Sequence, residues 1–144
     1  MPDEIFDSPT GWVAQHIRDY VESEGRKGHQ WRGVPTLLLT TRGRKSGKLR
    51  RTALIYGTDG DNYLVVGSRG GSDKHPAWYL NLRENPQVEV QVEDRKFTAH
   101  AHTASAEEKA RLWPLMVSVF PTYESYQKKT EREIPVVVLE PIRE

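Results

Sequence analysis

The chain has 144 residues, enough for one domain with a proper core, and its 36% hydrophobic and 28% charged residues are ordinary for a soluble globular protein. It has no cysteine, which excludes disulfides, zinc–thiolate sites and thiol nucleophiles and is compatible with a reducing cytoplasm. A net charge of +1 argues against a general nucleic-acid coat, no apolar run approaches the ~20 residues that span a bilayer, and Met1-Pro2-Asp3-Glu4 is unlike a signal peptide.

Residues 10–24 read as an amphipathic helix in which Val13, Ile17, Tyr20 and Val21 recur at helical spacing. Trp12 and His16 widen its apolar face, Thr10 offers an N-cap and Gly25 a stop. Packing on the body of the domain is expected, and its mixed polar face leaves a peripheral contact with a membrane surface open. A polar connector from Gly25 to Gly33 follows.

Val34 to Thr41 (VPTLLLTT) predicts a buried strand and Leu49 to Gly57 (LRRTALIYG) a second. Asp59-Gly60, within a turn from Thr58 to Asn62, leads to a third strand, Tyr63 to Gly67. Pro76 suits the first turn of a helix that continues from Ala77 to Asn85, where Pro86 stops it. Val88, Val90 and Val92 then alternate with Glu89, Gln91 and Glu93, and Phe97, Ala99 and Ala101 with Thr98, His100 and His102. That is an antiparallel hairpin with one solvated face. Ser105 and Glu108 have capping-box spacing and open a helix with a stripe of Leu112, Leu115, Met116, Val119 and Phe120. Pro114 predicts a kink there or a division into two segments. A short helix begins at Pro121–Tyr126, and Ile134 to Leu139 is a final buried strand.

About six strands joined mostly by hairpins, without regular strand–helix alternation, predict an α+β domain with a mostly antiparallel sheet closed into a small barrel. One domain is expected over residues 1–144, with a helix and connector at 1–33 and the core at 34–142.

Between the first two strands, six of the ten residues from Arg42 to Arg51 are basic and none is acidic. Gly43, Ser46 and Gly47 interrupt the run, so backbone N–H groups can approach an anion whose arrival would relieve the cations' repulsion. This reads as a phosphate- or carboxylate-binding loop, with Arg44 and Lys45 as contacts and Arg50 placed for bidentate binding. It is no Walker A loop, because it lies between two strands. Ser68-Arg69-Gly70-Gly71 repeats the ingredients after the third strand, which suggests two walls of one polyanionic ligand site, with Trp78 either covering it or filling the core. His100 and His102 share a strand face without a third ligand, so no metal is expected. Phe120, Tyr123 and Tyr126 either pack in the core or wall a flat, apolar pocket. With no nucleophile triad and no paired carboxylates, the chemistry of an enzyme here would rest on a cofactor.

Four stretches together, LLLTTRGRKSGKLR (37–50), GSRGGSDKHPAWYLNLRENPQVEVQV (67–92), WPLMVSVFPTYESYQ (113–127) and IPVVVLEP (134–141), resemble the deazaflavin-dependent nitroreductase family of actinobacteria, which are small split β-barrels. The resemblance implies binding of reduced coenzyme F-420, an 8-hydroxy-5-deazaflavin with a phospholactyl oligoglutamate tail, with FMN as the alternative. It also implies hydride transfer to an electron-poor small molecule such as a quinone, a nitroaromatic compound or an activated enone. On this resemblance Arg44, Lys45, Ser46, Gly47 and Arg50 hold phosphate or tail, and Ala53, Leu54 and Ile55 line the ring. Ser68, Arg69, Gly70 and Gly71 contact ring polar atoms or phosphate, with Lys74 and Trp78 nearby. Phe120, Tyr123 and Tyr126 wall the substrate pocket, and Tyr123 or Ser68 is the candidate proton donor. Phe120 stands where the best-known pattern has Tyr, and Ala53-Leu54-Ile55 where it has Pro-Leu-Tyr, departures that bear on substrate identity more than on cofactor binding. An FMN- or haem-binding split barrel and a non-catalytic deazaflavin or lipid carrier stay open. A nucleic-acid partner is not expected, because no Trp or Tyr interleaves with the basic run. The expectation is a cytoplasmic protein, monomer or homodimer.

Overall fold

The computed structural model describes residues 5–7, 11–23, 30–31, 34–68, 71 and 74–142, of which 5–7, 11–14 and 30–31 by backbone alone. In chain order the elements are β1 (Ile5–Asp7), α1 (Gly11–Glu22), β2 (Gln30–Trp31), β3 (Val34–Arg42), β4 (Leu49–Ile55), β5 (Gly57–Asp59) and β6 (Asn62–Val66). They continue with α2 (Ala77–Glu84), β7 (Gln87–Val92), β8 (Arg95–Thr103), α3 (Ala106–Val119), α4 (Thr122–Lys128) and β9 (Val136–Pro141). Thr10 and Gly25, the expected ends of the first helix, lie outside the described residues, as do the side chains of Trp12 and Val13. No helix among the described residues is long and apolar enough to cross a membrane.

The strands form one sheet in the order β1-β4-β3-β7-β8-β9-β6-β5, with β2 paired to β3. Every pairing is antiparallel except that of β1 with β4. Only Tyr56 separates β4, near one edge, from β5, at the other edge. A chain that changes edges across one residue forces the sheet to curl until its edges meet, and the predicted barrel follows from that.

The continuous apolar runs are strands buried on both faces. In β6 and β9, Val65, Val137 and Leu139 face a core with Leu37, Leu39 and Val90 under α2, whereas Leu64, Val66, Val136 and Val138 face a second core with Leu112 and Met116 of α3. Leu38 points out of the barrel to meet Ile17 and Tyr20 of α1. The Tyr20 hydroxyl accepts from Glu93 N–H at 2.6 Å and donates to the Thr36 carbonyl at 3.1 Å.

Several sequence expectations need correction. Nine strands, not about six, occur among the described residues, because β1, β2 and β5 are two or three residues long, too short for a period to register. Asp59 pairs with Asn62, so Gly60-Asp61 rather than Asp59-Gly60 occupies the turn, and Gly60 has φ 61°. A positive φ at the first central residue only is the type II′ pattern, which glycine adopts without strain. Pro76 is the N-cap of α2, in extended geometry, rather than a residue of its first turn. Pro114 does not divide α3, which runs unbroken from Ala106 to Val119. The ring removes only the bond to the Ala110 carbonyl, and both residues are exposed, so water can satisfy it. The face of β7 expected to be solvated is dry at Gln91, because Tyr20 of α1 reaches across to it. His102 is half-buried between Glu108 and Glu140, at 3.1 Å from each, while His100 is exposed. No metal-ligating cluster occurs among the described residues.

Candidate functional site

The basic loop closes the β3–β4 hairpin. Gly43 N–H donates to the Lys48 carbonyl at 2.7 Å and Gly47 N–H to the Gly43 carbonyl at 2.9 Å, so residues 44–46 form one tight turn. Arg42 Nη1 holds the Gly47 carbonyl at 2.6 Å, and the Ser46 hydroxyl accepts from Lys48 N–H at 3.2 Å. The turn is pinned to α2 by Asn81, whose Oδ1 accepts from Arg44 N–H at 3.2 Å and from Arg44 Nη1 at 3.1 Å. Asn81 Nδ2 donates to the Thr41 hydroxyl at 3.2 Å, and both side chains are buried. Arg44 is therefore partly an anchor. Lys45, at the tip, is exposed and has no side-chain partner among the described residues, and Arg50 is exposed on β4.

Asn81 was not singled out from the sequence. A polar residue beside Leu82 on the buried side of a short helix was the available signal.

The second loop leaves the end of β6. Arg69 and Gly70 lie outside the described residues. Ser68 is 8% exposed, yet neither its hydroxyl nor its N–H has a hydrogen-bond partner among the described residues. Gly71 has φ 84°, and a Cβ there would lie 2.9 Å from the Tyr126 carbonyl oxygen, so no other residue fits without displacing α4. Lys74 is exposed just before α2. Trp78 is half-buried against the first core, edge-on to Tyr79 at 6.3 Å.

Tyr123 belongs to the second core at 4% exposure. Phe120 lies edge-on to it at 5.1 Å, Tyr126 at 6.3 Å and Trp113 tilted at 6.4 Å. Its hydroxyl has no partner among the described residues, and burial pushes its phenol well above the ordinary value. It therefore stays protonated and can donate a hydrogen bond, while being a poor source of a transferred proton. Burying a hydroxyl without a partner costs about 1–3 kcal/mol, so two such groups, on Ser68 and Tyr123, mark places that an added polar ligand would complete.

Strand β4 separates the residues expected to line the ring. Ala53 packs beneath α1 and Leu54 on the opposite face against the Leu37 core, as strand alternation requires, and Ile55 is half-buried. The side chains of Ala53 and Leu54 thus cannot both meet one ligand face.

A curled antiparallel sheet flanked by helices, with a cationic hairpin and an aromatic helix junction, places the chain in the class of split β-barrel proteins. The distant likeness to HutZ, a heme storage protein from Vibrio cholerae (16% identity, 92% of each chain, TM-score 0.59), shows that fold. Residues 12–141 match the family model for F420H(2)-dependent quinone reductase, and the chain belongs to that family. It is similar to an F420H(2)-dependent quinone reductase of Mycobacterium tuberculosis, 42% identical over 128 residues and 86% of each chain. Among solved structures it is similar to an F420-H2 dependent reductase, FDR-A (42% identity, 74% of this chain and 94% of that one, TM-score 0.69). It is also similar to a domain-swapped dimer (39% identity, 92% of this chain and all of that one, TM-score 0.71).

Proposed function

We propose that this protein is a reductase that passes a hydride from reduced coenzyme F-420 to a quinone-like acceptor, with nitroaromatic compounds and activated enones as further acceptors. The observation that carries the reading is the buried hydrogen-bonding capacity of Ser68, without a partner among the described residues, in a chain that matches the family and carries a cationic hairpin. Those residues suit an aromatic ligand with an anionic tail.

The coenzyme, when bound, supplies the hydride. The chain's own residues bind and orient. Lys45 and Arg50 neutralise phosphate or carboxylate, and the turn amides of Lys45 and Ser46, with the Ser46 hydroxyl and the close approach that Gly47 allows, bind it. Ser68 donates and accepts hydrogen bonds at the ring edge, together with Arg69, Gly70 and Gly71. Trp78 and Lys74 flank that loop. Tyr123 fixes the acceptor by donating its hydroxyl proton in a hydrogen bond, and Phe120 and Tyr126 exclude water. The proton that completes the reduction comes from solvent, because the buried phenol of Tyr123 and the alkyl hydroxyl of Ser68 both hold theirs too tightly. The similar domain-swapped structure supports a homodimer as the working assembly.

The test is a fluorescence titration with oxidised and reduced coenzyme F-420 beside FMN, followed by turnover with a soluble quinone. Micromolar F-420 binding that weakens about tenfold in Lys45→Ala and falls with salt is expected. Absence of F-420 binding, or a preference for FMN, would overturn the reading.

A further inference from the structure

Arg132 lies between α4 and β9 and is half-buried. Its Nη2 donates to the carbonyl of Ser68 at 2.8 Å and to that of Gly67 at 3.2 Å, and its Nη1 lies 3.2 Å from His75 Nδ1. The base of this reach is itself held. Gln127 of α4 donates from Nε2 to the Arg132 carbonyl at 2.8 Å and accepts Ile134 N–H on Oε1 at 3.0 Å.

A rigid fork on two successive carbonyls fixes the planes of two successive peptides. In a trans peptide the N–H points opposite its C=O, so holding the Gly67 carbonyl turns the Ser68 N–H away from Arg132. That N–H and the Ser68 hydroxyl are the groups without a partner among the described residues. From the other side, Gly71 is wedged against the backbone of Tyr126. The loop is thus clasped between α4 and the connection that follows it.

We propose that Arg132 is the positioning residue of the Ser68 loop: it aims the N–H and hydroxyl of Ser68 at the cofactor and ties that aim to α4, the helix of Tyr123 and Tyr126. This rests on the Ser68 loop being a wall of the F-420 site. Arg132 acts through carbonyls, and its charge does not neutralise the cofactor's tail. The contact also fixes His75, since a guanidinium N–H facing Nδ1 requires a lone pair there and leaves the proton on Nε2. Burial first, then Arg132 and Arg83, hold His75 below its ordinary pKa.

The experiment compares the wild-type full chain with Arg132→Met and Arg132→Lys, using F-420 titration at several salt concentrations, melting temperature and NMR titration of His75. Arg132→Met is expected to weaken F-420 binding about tenfold at an unchanged salt slope, with Arg132→Lys in between. In cofactor-free Arg132→Met, His75 should titrate closer to its ordinary value. Wild-type affinity in Arg132→Met would overturn the proposal, as would a loss accompanied by a shallower salt slope, which would make Arg132 a direct anion contact. If Arg132→Met does not fold, Gln127→Ala and Arg132→Lys carry the same comparison, and undiminished affinity in both overturns it. A wild-type chain that binds no F-420 while His75 still responds to Arg132 would keep the contact but remove the role, because the failure then lies in the cofactor reading.

Discussion

Tyr123 and Ser68 illustrate how a single side chain can be poorly placed for folding while keeping hydrogen-bonding capacity to spare. Each buries a hydroxyl that no described residue satisfies. Removing such a group leaves the free protein as stable or more stable, while the bound state loses a partner. Tyr123→Phe should therefore leave the melting temperature unchanged or raised and cut kcat/KM with a quinone about tenfold or more; an equal fall in stability and activity would mean that the hydroxyl serves the fold. Asn81 presents the opposite case. Its amide joins the half-buried Arg44 to the buried Thr41, so Asn81→Ala strands the Thr41 hydroxyl and unties Arg44. Denaturant titration should show a loss of about 1–3 kcal/mol, with weaker F-420 binding because the hairpin is no longer tethered.

Among the elements, α2 matters beyond its length. Mid-helix it holds the cationic hairpin through Asn81, and just before its first turn His75 meets Arg132, which holds the Ser68 loop. One short helix therefore sets the position of both loops. Helix α3 carries an apparent flaw in Pro114, on its exposed side. Proline in a helix interior is about 3 kcal/mol less favourable than alanine. Pro114→Ala should raise the urea midpoint by an amount worth about 1–3 kcal/mol at unchanged slope. A drop instead would show that the proline shapes α3 to fit α4, which Trp113 Nε1 joins through Glu124 at 3.1 Å.

At the scale of the whole molecule, two carboxylates tie α3 to the barrel. The Arg111 guanidinium holds Asp59 of β5 below the usual carboxylate range, and Ser105 N–H and then His102 do the same for Glu108. Folded-state values below the unfolded ones mean that the contribution is present above the ordinary value of about 4 and is lost as pH falls through the depressed values. Melts from about pH 7 to about pH 3 should show stability falling below about pH 4, with a shallower fall in Asp59→Asn. An identical slope in the variant would assign the acid sensitivity elsewhere. The edges of the sheet meet at Tyr56, and it is this closure that sets β4 beside the barrel core on one face and α1 on the other. Alternation in residues 88–102, the doubly buried runs of β3, β6 and β9, the capping box at Ser105 and the cationic hairpin were all legible in the sequence, because period and charge density are properties of neighbouring residues. The clamp of Asn81 on Arg44 spans 37 positions and that of Arg132 on Ser68 spans 64, and no local pattern encodes either. Which hydroxyls end up buried without a partner among the described residues depends on how the helices close over a curled sheet, so the chain's own order determined the parts of the candidate site and only the tertiary structure decided which of their polar groups are left over.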